Sequence, residues 1–173
     1  SIHITVFRNH LTTRRLGAAT IGLSTPLVDL GGRHAIGVTK WHYWYSFIGN
    51  VLGTATQTLV PGQTKFVVET HVFDNMEVPM WRIGYDGGDW SAPQDSLVAA
   101  RTLRHGNFDF VSGATSWDAS IATRTLPSSL YLAVKPAFFG SSPWPWVTPE
   151  NAAAPYTVLP ARARFETLRL GVR

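Results

Sequence analysis

At 173 residues, with 45% hydrophobic and 15% charged side chains, the chain is long and apolar enough to bury one substantial core, and it is not a disordered polymer. Fifteen basic residues against eleven acidic give a net charge of +4. Apart from Arg14-Arg15 and the group Arg162, Arg164, Arg169 and Arg173, the basic residues are scattered. That argues against a nucleic-acid reader and for a mild attraction to anionic polymers, acidic polysaccharides among them. The absence of cysteine excludes disulfides, zinc-thiolate sites and cysteine nucleophiles. No stretch approaches the roughly 20 apolar residues of a membrane helix, so no membrane partner is expected.

The first residues, Ser1 to Phe7, already read as a strand, and a chain that starts in mid-strand is expected to be a fragment of something longer. Three runs bring a strand to an asparagine and continue apolar: Val6 to Leu11 around Asn9, Phe47 to Leu52 around Asn50, and Arg104 to Asp109 around Asn107. Asparagine tolerates left-handed backbone and suits a sharp corner. Stacked at one corner, such residues can hydrogen-bond into an amide ladder. The uneven spacing requires long loops between the marked corners, and residues 16–34 and 53–80, rich in Gly, Ser, Thr and Pro, read as those insertions.

The run Lys40-Trp41-His42-Tyr43-Trp44-Tyr45 reads as a strand with Trp41, Tyr43 and Tyr45 on one face and His42 and Trp44 on the other. One face is then either covered by an insertion or turned outward as rings that suit the C–H faces of sugars. Residues 84–95 form a third loop, in which Tyr85-Asp86-Gly87-Gly88-Asp89-Trp90 sets two carboxylates around a glycine pair beside an aromatic. Asp86 and Asp89 could ligate Ca2+, or could simply cap a polar turn. Asp95 to Arg101 carries the chain's helical signal, good for one or two turns. Beyond it Arg101, Arg104, His105, Asp109 and Asp118 gather ionisable groups. A polysaccharide lyase needs a cation to neutralise a carboxylate and a base to remove a proton, and Arg104, His105 and Asp109 are the candidates. On a strand Arg104 and His105 point to opposite faces, so only one of them joins a given site. No HExxH, Gly-x-Ser-x-Gly or phosphate-cradling glycine loop is present.

The end of the chain runs through Leu130-Tyr131-Leu132, Lys135 to Gly140, Pro143-Trp144-Pro145-Trp146 and Leu159 to Phe165. Together with Trp41 to Gly53 and Leu103 to Asp109, it resembles the C-terminal region of secreted right-handed parallel β-helix (pectate-lyase-like) proteins of bacteria and phages. The resemblance covers most of the chain from about residue 35 onward. It implies an all-β fold: the end portion of a right-handed parallel β-helix, with β-helix coils and inserted loops over 1–125 and a capping segment over 126–173. It carries no catalytic assignment, because that fold hosts many activities.

Two functions are expected. One is an extracellular or virion-surface protein that binds polysaccharide, with or without cleaving it, with Trp41, His42, Tyr43, Trp44 and Trp90 as the sugar-facing residues. The other is a non-catalytic element of a surface fibre, decoration protein or tail spike. Under either, preceding β-helix coils are expected to stack on Ser1 to Phe7, whose bare strand edge would otherwise invite aggregation. No cofactor other than Ca2+ is expected.

Overall fold

Twelve short strands, one helix and a 3-10 turn make up the described residues of the computed structural model, which are 3–16, 29–32, 34–56, 66–68, 80–85, 95–158 and 161. In chain order the strands are β1 (Ile4–Phe7), β2 (His10–Leu11), β3 (Arg14–Leu16), β4 (Asp29–Gly32), β5 (Ile36–Thr39), β6 (Tyr45–Ile48), β7 (Val51–Leu52), β8 (Phe66–Val68), β9 (Trp81–Tyr85), β10 (Leu103–His105), β11 (Asn107–Asp109) and β12 (Ala114–Ser116). Helix α1 (Ser96–Ala100) lies between β9 and β10, and a 3-10 turn spans Ala137–Phe139.

The all-β composition forms, but the β-helix expected from the resemblance does not. The strands divide into four separate small sheets, ordered β1-β6-β10, β12-β11-β7-β2, β3-β4 and β5-β9-β8. Parallel and antiparallel pairs are mixed, and no sheet among the described residues closes or coils into a solenoid. The reason is local. After β11 the chain reverses at Gly113 and lays β12 antiparallel beside it, and β3 pairs antiparallel with β4. The asparagine corners specify a bend between two strands; they do not specify what the chain does next.

Those corners do form, and they differ in one respect from the sequence reading. The left-handed backbone is carried by the residue before each asparagine: Arg8 (φ 50°), Gly49 (φ 67°) and Gly106 (φ 67°). Glycine adopts that conformation without the steric cost other residues meet. This leaves the asparagines free to use their carboxamides. The Asn9 N–H donates to Asn50 Oδ1 (3.0 Å), the Asn50 N–H to Asn107 Oδ1 (3.0 Å), and Asn50 Nδ2 to the same oxygen (2.9 Å). Asn50 Nδ2 also donates to the Val6 carbonyl, and Asn107 Nδ2 to that of Phe47. The ladder thus joins the β1-β6-β10 sheet to the β2-β7-β11 strands at three successive bends.

Alternation along β5, β6 and β7 sends Ile36, Val38, Phe47 and Leu52 into one core with Met80, Trp81, Ile83 and Val98. Val51, on the other face of β7, packs with Phe108 and with Val147 from the C-terminal segment. Arg8, 5% exposed, fastens that segment down. Its Nε donates to the Pro127 carbonyl (2.8 Å), Nη1 to that of Val147 (2.6 Å) and Nη2 to that of Leu126 (3.1 Å), and it pairs with Glu150 at 2.8 Å. Farther along, Leu130-Tyr131-Leu132 is an exposed bend, with Tyr131 92% exposed. Trp144 and Trp146 of the proline-tryptophan run pack around Phe139 at ring separations of 4.8 and 5.4 Å.

Candidate functional site

The run from Lys40 to Trp44 is a tight turn, not a strand; β6 starts only at Tyr45. Trp41 (φ 64°) and Trp44 (φ 67°) both take left-handed backbone, so strict alternation of side chains breaks down. The outcome is an outward aromatic patch: Trp41 is 66% and Trp44 50% exposed. Lys40 Nζ lies 4.2 Å from the Trp41 ring centroid. The Arg101 guanidinium lies 4.9 Å from the Tyr43 ring and 5.3 Å from that of Trp44, and His3 stacks on Trp44 at 6.0 Å. His42 is exposed and turned back on its own loop, its Nδ1 within 2.7 Å of Thr39 Oγ1 and 3.0 Å of the Lys40 carbonyl.

One carboxylate organises this turn. Asp95 caps α1 by accepting the Leu97 N–H (3.1 Å) on Oδ1. Its Oδ2 accepts the Trp41 N–H (3.0 Å) and the Tyr43 hydroxyl. The Trp44 N–H donates to the Arg101 carbonyl at the other end of the helix. Burial works to raise the Asp95 pKa, but the Tyr43 hydroxyl, the Trp41 and Leu97 N–H groups and the Arg101 charge outweigh it and hold the carboxyl below its ordinary value. The same hydrogen bond, before burial and the Asp95 charge, raises the pKa of the Tyr43 phenol. Beside this patch opens a cleft of about 280 Å³, lined by His3, Trp44, Ser46, Arg101, Leu103 and Asp118 among others.

A second cleft, of about 310 Å³, also reaches Asp118 and is walled by Phe66, Trp81 and Trp117, with Arg104, Asn107 and Asp109 on its floor. It holds two of the three residues singled out for catalysis. The third, His105, points to the opposite face of β10, as strand alternation requires, and packs edge-on against Trp117 at 5.0 Å. Its two ring nitrogens meet no hydrogen-bond partner among the described residues. Asp109 is buried and accepts the Ser112 N–H and hydroxyl, both at 2.7 Å. The Arg104 guanidinium lies over the rings of Phe66 (4.0 Å) and Trp81 (5.8 Å). Burial pushes its pKa down, against the opposing field of Asp118.

Asp86, Asp89 and Trp90 lie outside the described residues, so the loop named for Ca2+ has no described geometry. Among the described residues no group of three or more His, Asp or Glu could hold a metal ion, and no helix is long and apolar enough to cross a membrane. Sequence reasoning missed two residues that matter. In the sequence Asp95 reads only as the edge of a helix, although an acid before a helix and close to an aromatic run points to a shared cap. Arg8 gave no signal, since its partners lie more than a hundred residues away. No protein-family model, curated protein or solved structure matches the chain.

Proposed function

We propose that the protein binds an acidic polysaccharide across the Trp41–Trp44 turn and the adjoining Arg101 cleft. The observation that carries this is the Arg101 guanidinium against Trp44, a ring left 50% exposed at the mouth of a cleft of about 280 Å³. A flat ring offers contact to the C–H face of a sugar, and the cations at Lys40 and Arg101 favour a chain that carries carboxylates. Asp95 supports the reading by fixing Trp41 and Tyr43 before a ligand arrives, which lowers the ordering cost of binding. No cleavage step is assigned: His105 faces away from both clefts and Asp109 is held by Ser112.

Isothermal titration with polygalacturonate, and with dextran as the neutral counterpart, tests the proposal. Trp44→Ala and Arg101→Gln should each weaken polygalacturonate binding about tenfold, the scale of one cation–π or aromatic contact. Binding should fall with added salt, and dextran should bind more weakly. Unchanged affinity in both folded variants, or equal affinity for dextran, overturns it.

The assembly reading rests on a different observation. Among the described residues β1 pairs only with β6, and its Ile4 is 43% exposed. Sedimentation over a concentration series decides it: a monomer throughout removes self-assembly through this edge.

A further inference from the structure

The second cleft pairs two opposite charges that do not meet. Arg104 carries five N–H donors, yet among the described residues its guanidinium donates to none; its contacts are the faces of Phe66 and Trp81. Across the same cleft, Asp118 Oδ1 accepts both the Ser120 N–H (2.8 Å) and the Ser120 hydroxyl (2.6 Å). Its Oδ2 accepts from no described residue, and no ion pair joins it to Arg104. A half-buried guanidinium held against two neighbouring rings is a preorganised fork for a planar carboxylate. A free carboxylate oxygen nearby calls for a donor. A dianion such as phosphate would be repelled by Asp109 and Asp118.

We propose that this cleft is a binding site for a small α-hydroxy or α-amino acid, with its carboxylate on the Arg104 fork and its α-substituent donating to Asp118. The aromatic walls take the ligand's apolar body, and a volume of about 310 Å³ suits one small molecule. The Ser120 hydroxyl and backbone N–H, with the charge of Arg104, hold Asp118 ionised as an acceptor against a slight burial penalty. The site shares Asp118 with the cleft beside the polysaccharide face, but it takes its cation from Arg104, whereas that face uses Arg101 and Trp44.

A matched set of probes tests it by 15N NMR: 3-phenyllactate, phenylalanine, 3-phenylpropionate and 2-phenylethylamine. The first two should move the indole N–H signals of Trp81 and Trp117. They should bind at least about tenfold more tightly than 3-phenylpropionate, which lacks the α-donor, and 2-phenylethylamine, which lacks the carboxylate. A preference between the first two tells an amino acid from a hydroxy acid, and either preference supports the site. Arg104→Met should weaken both at least about tenfold, with Arg104→Lys recovering only part, since an ammonium cannot make the two-pronged contact. Asp118→Asn should erase most of the advantage over 3-phenylpropionate, and Trp44→Ala should change nothing. The proposal is overturned if no probe binds, if all four bind alike, or if folded Arg104→Met and Arg104→Lys both keep wild-type affinity.

Discussion

Asp95 shows how one side chain can serve two parts of a molecule. Its carboxylate closes the first turn of α1 and fixes the backbone of Trp41 and the hydroxyl of Tyr43. Because its folded pKa is depressed below the ordinary 3.8, the stabilisation it gives is present above that value and is lost as pH falls through the folded pKa. The Trp41 and Trp44 indole signals should therefore hold steady down to about pH 4 and shift below it. Asp95→Asn should remove that acid step while keeping the helix cap, whereas Asp95→Ala should also cost about 1 kcal/mol of stability through the lost cap. A step of the same size in Asp95→Asn would place the titration elsewhere. Legibility also ends at this scale. The aromatic run left open whether its rings are covered or outward, and read as a strand where a turn forms, because nothing in Lys40 to Tyr45 announces left-handed backbone at two tryptophans.

Elements show the opposite balance. The three strand-to-asparagine runs, the corner function and the amide ladder were legible, because each depends on neighbours within a few residues. So was α1, which needs only a cap and five residues. Which residue would carry the left-handed turn was not: two glycines before asparagine suggest it, and Arg8 in the third corner conceals it. The ladder predicts a gradient of cost. Asn50 is fully buried and both gives and receives, so Asn50→Ala should destabilise by about 2–3 kcal/mol, leaving the Asn9 N–H without its acceptor and Asn107 Oδ1 without one of its donors. Asn9 is exposed, and its side chain donates only to the Phe7 carbonyl, so Asn9→Ala should cost less than about 1 kcal/mol. Urea unfolding of the two variants measures both, and equal losses would mean that the ladder contributes nothing beyond its local turns.

At the scale of the whole molecule, a good reading of parts led to a wrong architecture. Parallel pairing between corners was anticipated, yet continuation into a coil requires each loop to return the chain to the same side of the same sheet. The β11–β12 reversal and the β3–β4 pair do not do this. The clefts, too, were illegible as clefts. One arises where the Trp44 turn, α1 and β10 meet, the other where β8, β9, β10 and β11 meet the segment after β12, and Asp118 of that segment lines both. Arg101, Arg104 and Asp118 could be collected from the sequence as one group of charges, but not divided between two sites.

The Arg8 clamp sets an order of events. Its acceptors at Leu126, Pro127, Val147 and Glu150 lie 118 to 142 positions downstream, so nearly all of the chain must be in place before that cation is satisfied. The loop-closure cost of contacts at such separations predicts that they close late, after the folding barrier. Arg8→Met, which leaves three carbonyls and Glu150 bereft, should cost about 3 kcal/mol. In stopped-flow chevrons that loss should appear as roughly a hundredfold faster unfolding with the refolding arm unmoved. A slowed refolding arm would mean that the C-terminal segment docks early. With the arm unmoved, the clamp is a latch: it does little to guide the chain to its fold and much to decide how long the fold lasts.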